Sequence, residues 1–359
     1  MRKITDYIEL TIRVRGRKSF MLVKSDYDSM LTAESVQSAL RRLEGSKYQP
    51  YVSQFFTGEF NVEDVEDSLV KAYNDELNFI LSKTKNKVAA NFIREFNRLN
   101  ELKTLGLVLK AILLEISWKE ASRFIFPYGK ISIEACRNLV EAKNVEEVFK
   151  LMGDESLIGK IRGVLSSVED PLLKSTKIEL TLTKYGVENI WEKAGKLKGR
   201  DKLCIKILGV TIDSSNIMAI LRLKKLKLRR GEVEDYILPV YYMLTEDEVE
   251  RALAVENEKD ALKVFSSGRY VNIISPLIPT YEVKNDLSIF EIALKRYHAK
   301  ECERIFYQPF FHLTEAFAYL YLKLYEVKDL ITILVGKQFN IPPSEIEYLL
   351  TLHQPPYPT

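Results

Sequence analysis

Two side chains of the sequence stand one helical turn apart and could both bind a metal: the imidazole of His298 and the thiol of Cys302. A structural zinc site needs four such ligands. Of the other two histidines, His312 stands at a predicted helix start and His353 in a Pro-rich tail. A polar residue beside a buried thiol is therefore the simpler interpretation, and we predict no metal centre.

Motifs that carry catalytic or cofactor chemistry are missing from the sequence. There is no phosphate loop, dinucleotide-binding, zinc-protease, nucleophile-elbow or EF-hand pattern. The Gly-Lys pairs at Gly159 and Gly195 lack the context of a phosphate loop. With 50 acidic residues, carboxylate pairs at helical spacing occur throughout and indicate solvated faces or ion pairs. We predict no catalytic residues, no cofactor and no small-molecule substrate.

A basic run is the strongest local charge signal. It contains Arg222, Lys224, Lys225, Lys227, Arg229 and Arg230. On a continuous helix, Arg222, Lys225 and Arg229 fall on one face. The run fits a solvated helix end whose cations suit the negative end of the dipole. It also fits a docking face for an acidic protein or for anionic lipid headgroups. Nucleic acid is the weakest interpretation, because no aromatic residue interleaves the run.

An acid followed six residues later by a tyrosine recurs three times. The pairs are Asp67 and Tyr73, Glu179 and Tyr185, and Glu291 and Tyr297, with successive tyrosines 112 residues apart. Asp67, Glu179 and Glu291 are therefore candidates for contacts with a partner, together with Arg222, Lys225 and Arg229. The alternative for each tyrosine is that it packs in its own bundle with its hydroxyl hydrogen-bonded.

Helical spacing dominates the segments that must position these residues. Apolar residues recur in steps of three and four in three long stripes, which run from Phe92 to Ile112, from Leu203 to Leu221 and from Leu313 to Leu334. In the last stripe Thr314 is the predicted start and Gly336 the predicted stop.

One segment does not have helical spacing. Ile8, Leu10, Ile12 and Val14 alternate with polar residues, and this local pattern favours a strand followed by a turn at residues 15–18.

The landmarks recur in the same order three times. A helix-start pattern, with an apolar residue, a hydroxyl and then an acid, begins at Leu31, Ile131 and Leu244. The acid–tyrosine element follows, and about thirty residues later come Glu101-Leu102, Asn216-Ile217 and Asp329-Leu330. Such periods are too long for solenoid repeats. We predict three helical units at residues 1–120, 121–233 and 234–359, the last ending in a short Pro-rich tail.

Composition, cysteine content and the length of apolar runs limit the classes of protein to which the chain can belong. The 359 residues are 46% hydrophobic and 29% charged, with a net charge of +3, which is typical of a soluble globular protein and too small to indicate nucleic acid. The three cysteines, Cys136, Cys204 and Cys302, form no CxxC and fit a reducing cytoplasm. The N-terminal stretch lacks the apolar core of a signal peptide, and no apolar run spans a bilayer.

The assembled residues resemble the C subunit of archaeal and bacterial rotary V/A-type ATPases, which is called the d subunit in eukaryotes. The likeness spans almost the whole chain and rests on the ordered triplication rather than on one diagnostic motif. The segments that carry it are Tyr7 to Thr32, with Arg13 and Arg15; Leu43 to Tyr48; Ile212 to Lys224, with Asp213 and Asn216; and Glu326 to Lys337. The first-unit copy around Glu101 departs from the pattern. The opening favours an archaeal-type enzyme.

The resemblance implies an all-α funnel of three similar helical bundles around a pseudo-threefold axis, with the period-two stretch near the N-terminus helical. It also implies a non-catalytic rotor subunit at the cytoplasmic face of the cell membrane. In that family the protein sits on the membrane rotor ring of proteolipid subunits, and its socket receives the central stalk. Nucleic acid and homo-oligomers are not expected. A helical-repeat adaptor unrelated to ATPases and a helical enzyme without a recognisable motif remain as alternatives.

Overall fold

The protein is all-helical. The computed structural model describes residues 5–122, 124–125, 127, 129, 131–308 and 311–353. Helices account for 75% of the chain, and the described residues contain no strand. The all-α prediction is therefore confirmed, whereas the Pro-rich tail beyond residue 353 lies outside the described residues.

Short helices followed by two long ones recur along the chain. The first group is α1 Thr5–Lys18, α2 Lys24–Leu31, α3 Val36–Arg41, α4 Gln49–Val52, α5 Val62–Lys83 and α6 Lys87–Leu113. The second is α7 Trp118–Ala121, α8 Ile133–Ala142, α9 Val145–Met152, α10 Glu155–Ser167, α11 Pro171–Gly195 and α12 Leu203–Lys225. The third is α13 Arg230–Glu234, α14 Glu246–Ala254, α15 Glu258–Phe265, α16 Val271–Ile274, α17 Ile278–Lys284, α18 Ser288–Ile305 and α19 Leu313–Gln338, after which α20 Pro343–Leu349 ends the series.

The stretch that alternates near the N-terminus is helix α1, so the strand indicated by its local pattern is wrong. Its buried residues are Tyr7, Leu10, Thr11 and Val14, which recur at helical spacing. Ile12 is 60% exposed, so the apparent alternation includes a residue that does not pack in the core. The turn expected at residues 15–18 is instead the last helical turn, whose basic residues suit the negative end of the helix dipole.

The predicted helix starts hold in two of three copies. Ser132 caps α8 by accepting from the Ala135 N–H. Thr245 caps α14 and forms a reciprocal capping box with Glu248. In the first copy the expected start near Thr32 is wrong, because Thr32 follows the end of α2 and the next helix is capped by Ser35.

Helix α19 extends beyond both of its predicted signals. It begins at Leu313, one residue before Thr314, and continues to Gln338. Gly336 is therefore not the stop. A Cβ at Gly336 would lie 2.6 Å from the Ile346 side chain, so this glycine allows α20 to pack closely on α19.

The third landmark of the repeat, represented by Asn216 and Asp329, binds the segment that follows the next short helix. The Asn216 amide of α12 accepts from the Leu238 N–H at 2.8 Å, and the Asp329 carboxylate of α19 accepts from the Thr351 N–H at 2.8 Å. Both bonds reach 22 residues along the chain. The position 22 residues after Glu101 lies outside the described residues. In two copies of the repeat, the landmark side chain therefore provides the hydrogen-bond acceptor that a buried backbone N–H group needs.

Asp213, one turn before Asn216, binds the segment that leads from α13 into α14. Its carboxylate accepts from the backbone N–H groups of Tyr242, Met243 and Leu244 at 3.0, 2.6 and 3.0 Å. The Tyr270 hydroxyl donates a fourth bond at 2.9 Å. Burial raises the pKa of Asp213, although these hydrogen bonds favour the charged form.

The buried side chains of the described residues form three hydrophobic cores. The central core contains α1 to α5, α19 and α20. The second core contains α7 to α10, and the third core contains α13 to α17. The central core therefore joins elements from both ends of the described chain.

Four long helices, α6, α11, α12 and α18, contribute to two cores each. In α6, for example, Phe96 and Leu99 belong to the central core, whereas Leu102 and Leu105 belong to the second core. The cores are thus not divided at residues 120 and 233, and the units 1–120, 121–233 and 234–359 stay a prediction about the repeat.

Candidate functional site

A cavity of about 710 Å³ lies between the long helices α6, α11, α12, α18 and α19. Helices α6 and α11 run from the central core into the second core, α12 and α18 run from it into the third core, and α19 lies in the central core alone. The cavity is thus bounded by parts of all three cores, and its lining comes from segments far apart in the sequence.

The lining residues that belong to the central core are buried and are here called the floor. The floor includes Phe96 and Leu99 of α6, Leu208 of α12 and Tyr321 of α19. The Phe96 and Tyr321 rings contact each other, with centroids 5.3 Å apart. The floor is therefore apolar and aromatic, which suits an apolar partner group more than a hydrated ion.

His298 also lies at the floor and is neutral. Its Nε2–H donates to the Ile207 carbonyl at 2.9 Å, and its Nδ1 accepts from the Tyr325 hydroxyl at 2.8 Å. Burial lowers the pKa of His298 to about 4. The Cys302 thiol lies 3.9 Å from Nε2, and burial raises its pKa far above the ordinary value. Both ring nitrogens are engaged in hydrogen bonds, so the pair is a structural one.

The charged part of the lining, here called the rim, consists of Lys103, Glu179, Arg222, Glu291, Lys295 and Lys328. Glu291 forms ion pairs with Arg222 and, at 2.6 Å, with Lys295. Burial alone would raise the pKa of Glu291, but these two cations lower it overall. Glu179 pairs with Lys110 at 3.1 Å. Both rim carboxylates are thus neutralised within the chain.

Three of the six predicted contact residues meet at this cavity. Glu179, Glu291 and Arg222 line it together, although they come from three different helices. Asp67 lies elsewhere, on α5, where burial and Asp64 raise its pKa to about 6. The structure therefore brings two of the three repeated acids together and leaves the third apart.

The basic run does not form one helical face, so that prediction is wrong. Helix α12 ends at Lys225, and Lys227 adopts a positive φ of 61° that turns the chain away. Arg229 then precedes α13. The Lys225 ammonium donates to the Asn285 carbonyl and lies 5.4 Å from the centre of the Tyr281 ring. Only Arg222 of the three predicted residues lines the cavity.

None of the three repeated tyrosines lines the cavity: Tyr73 is buried, and Tyr185 and Tyr297 are half-buried. Tyr73 is fully buried in the central core. Tyr185 donates a hydrogen bond to Asp154, and Tyr297 lies edge-on to Tyr270 with ring centroids 6.3 Å apart. Their recurrence therefore reflects packing within similar helix arrangements.

Sequence reasoning missed three rim lysines: Lys103, Lys295 and Lys328. Each stands on the polar side of an amphipathic helix, where a cation facing bulk water and one facing a cavity have the same spacing. To recognise these lysines as cavity residues, one would need to know which helices pack beside theirs. The sequence alone does not give that pairing.

One cluster elsewhere offers three possible metal ligands. Donor atoms of Asp28, Glu347 and His353 all lie within 4.8 Å of one another. His353 Nε2 is 3.1 Å from each carboxylate, and its ring stacks on Tyr27. Lys24 already lies 2.9 Å from Asp28 and would repel a metal ion there. The cluster holds the last described residue against α2.

One stretch, Gly199–Lys225, is long and apolar enough to cross a bilayer, yet 61% of its apolar window is buried inside the protein. Core helices of soluble proteins meet the same criteria of length and composition. The stretch contains α12, which contributes to the central and third cores. It is therefore weak support for a membrane span.

Several known proteins similar to this chain carry the same description. The chain is 22% identical to the C subunit of the A-type ATP synthase of Methanocaldococcus jannaschii over 348 residues, covering 97% of this chain and 86% of that protein. It is also 22% identical to the proteins of the same name from Pyrococcus abyssi and Thermococcus onnurineus over 361 residues, covering 97% of this chain and 91% of each relative. The model of the ATP synthase (C/AC39) subunit family matches residues 10–349. The resemblance inferred from the repeated landmarks is thereby confirmed, and the chain belongs to the ATP synthase (C/AC39) subunit family.

Proposed function

We propose that this chain is a non-catalytic rotor subunit of an A/V-type ATP synthase, in which the cavity between the long helices is the socket for the central stalk. The opposite side of the subunit would sit on the membrane ring of proteolipid subunits. Rotation of the stalk would then turn the ring, so that ATP hydrolysis or synthesis is coupled to ion translocation.

The arrangement of the cavity is the observation that carries this proposal. Its walls are long helices that continue into three cores, and its floor is a buried apolar surface of the central core. A load applied to a side chain in the socket would reach every core through continuous helices. Closely packed interiors deform little, so such a unit is suited to pass torque.

The proposed funnel of three similar bundles is supported by the order of the elements. Short helices followed by two long helices recur three times, and α19 returns to pack with α5 in the central core. Contact between the last long helix and the first group is what a closed ring of three units requires. The pseudo-threefold axis itself stays part of the proposal.

Family membership supports a subunit of a membrane-associated ATPase at the cytoplasmic face, acting without catalytic residues or a cofactor of its own. The expected partners are the central-stalk subunits and the proteolipid ring. A helical-repeat adaptor unrelated to ATPases is not supported by any of the similar proteins. The ion that the complex would move does not follow from this chain.

Reconstituted vesicles test the proposal. Complexes assembled without this chain should hydrolyse ATP at nearly the rate of complete complexes, because the catalytic subunits lie elsewhere. They should not pump ions, because the stalk and the ring no longer turn together. Adding back the purified chain provides the control and should restore pumping. Vesicles that lack the chain and still transport ions on addition of ATP would remove the coupling role.

A further inference from the structure

We propose that the socket recognises an acidic helical tip of the central stalk, whose carboxylates are bound by Lys103 and Lys328 while its apolar end rests on the floor. This inference rests on the proposed function and deepens it, because it names the chemistry of the partner. It predicts that the stalk presents carboxylates about one helical turn from an apolar end.

The charge of the rim is unbalanced. It contains four cations and two carboxylates, an excess of two positive charges. Both carboxylates are occupied, Glu291 by Arg222 and Lys295, and Glu179 by Lys110. Since the whole chain of 359 residues carries a net charge of only +3, the rim concentrates positive charge in a small part of the molecule.

The excess is located on two lysines from different helices. Lys103 of α6 and Lys328 of α19 both line the cavity, where water reaches their side chains but the surrounding walls of protein limit their hydration. Among the described residues, neither ammonium group has a carboxylate within ion-pair distance or a hydrogen-bond acceptor. Two cations of the same cavity thus lack anionic partners, although Asp and Glu are abundant on the helices around them.

The surroundings of the two lysines disfavour an uncompensated charge. The pKa of Lys328 is lowered to about 8, mainly because the protein around it limits its hydration and in part because of the charges of Lys295 and Lys103, whereas Glu291 and Asp329 oppose the shift. Withdrawal from water also lowers the pKa of Lys103. A carboxylate placed between them would relieve this repulsion, which is the condition for a charge pair to favour association.

The floor indicates that the anion is part of a protein rather than a free ion. Above the buried floor, the half-buried side chains of Leu107, Leu180 and Leu324 offer an apolar surface beside the charged rim. A free phosphate would leave that surface exposed to water, whereas the end of a helix can cover it and reach the lysines one turn away. Protein interfaces commonly have an apolar centre that is surrounded by a polar edge, which is the arrangement seen in this cavity.

Charge reversal tests the inference on the full-length chain. We would measure the affinity of the purified central-stalk complex from the same source for the parent, for Lys103→Glu with Lys328→Glu, and for Lys103→Gln with Lys328→Gln. The matched control is Lys160→Glu with Lys259→Glu, which changes the net charge equally at two exposed positions outside the cavity. Circular dichroism establishes that each variant folds.

The glutamate variant should bind the stalk at least about tenfold more weakly at low salt, and the glutamine variant should lie between it and the parent. The difference should shrink at high salt, because screening weakens charge interactions. The control variant should bind like the parent. Equal affinity of parent and glutamate variant would overturn the inference while leaving the socket in place. Failure of the parent itself to bind any stalk complex would instead overturn the proposed function.

Discussion

The buried imidazole of His298 should make the stability of this protein depend on pH in a way that one substitution removes. The ring is 1% exposed, and its two nitrogens are engaged with the Ile207 carbonyl and the Tyr325 hydroxyl. Protonation would place a second N–H against the oxygen from which Nδ1 now accepts, and it would bury a charge. Burial accordingly lowers the pKa of His298 to about 4 from 6.5.

The sign and size follow from linkage between protonation and folding. Because the folded pKa lies below the unfolded one, the contribution is fully present above pH 6.5 and is lost as the pH falls towards 4. Between pH 7.5 and 5.5 the unfolded chain gains nearly a full proton at this site, whereas the folded chain gains almost none. The free energy of unfolding should therefore fall by about 1.3 kcal/mol from this group alone.

The assay compares the parent with His298→Gln in urea at pH 7.5 and 5.5. Glutamine retains a donor and an acceptor but does not titrate, so the difference in unfolding free energy between the two proteins isolates the imidazole. That difference should shrink by about 1.3 kcal/mol at the lower pH. The chain has only three histidines, so nuclear magnetic resonance can also follow the His298 ring directly.

Two results would refute the reasoning. One is a difference between parent and variant that stays constant from pH 7.5 to 5.5. The other is a His298 resonance in the folded protein that titrates near pH 6.5, as an exposed imidazole does. Either result would mean that water reaches the ring and that the floor of the cavity is wetter than its burial indicates.

Three further outcomes are expected. Asp213→Ala should lower the free energy of unfolding by roughly 3–5 kcal/mol, because it leaves three backbone N–H groups and a tyrosine hydroxyl without their acceptor; Asp213→Asn should cost less, as urea unfolding would measure. Gly209→Ala should lower it by about 1–3 kcal/mol, because the added Cβ would lie 2.4 Å from the Tyr242 side chain; a melting temperature equal to that of the parent would show that the two segments separate freely. Replacing Lys225 and Arg229 by Glu should weaken assembly of the ATPase most at low salt if these residues dock an acidic surface; equal assembly at every salt concentration would show that both are solvated positions without a docking role.

The long helices were predictable because their apolar stripes are unbroken. The stripe from Leu313 to Leu334 identified α19 almost to its ends, since burial along one helical face dictates the spacing of the apolar residues. Helix α1 was not predictable from its own residues, because β-branched Ile12 faces solvent and completes a false alternation. Only the resemblance to a family indicated the correct structure there.

The candidate site was predictable in part, and for a physical reason. Glu179 and Glu291 were found because the repeat places equivalent residues on equivalent helices, and equivalent helices face the same cavity. Asp67 has the same sequence position in the first unit but lies away from the cavity, next to Asp64 and Arg137. A repeat in sequence therefore predicts similar helices, whereas the neighbours of each helix decide which of its residues line a site.

The three cores do not coincide with the three repeat units, and this has a mechanical consequence. If each unit had its own core, the joints between units would be surface contacts, where relative motion of domains is the ordinary expectation. In this chain α6, α11, α12 and α18 each lie in two cores, so displacing one core from another requires a long helix to bend or leave its packing. Gly186 of α11 allows the close approach at one such crossing, since a Cβ there would lie 2.6 Å from the Leu99 side chain. A subunit that must turn as one body is better served by shared helices than by three complete domains, and this is the arrangement that the long stripes in the sequence produce.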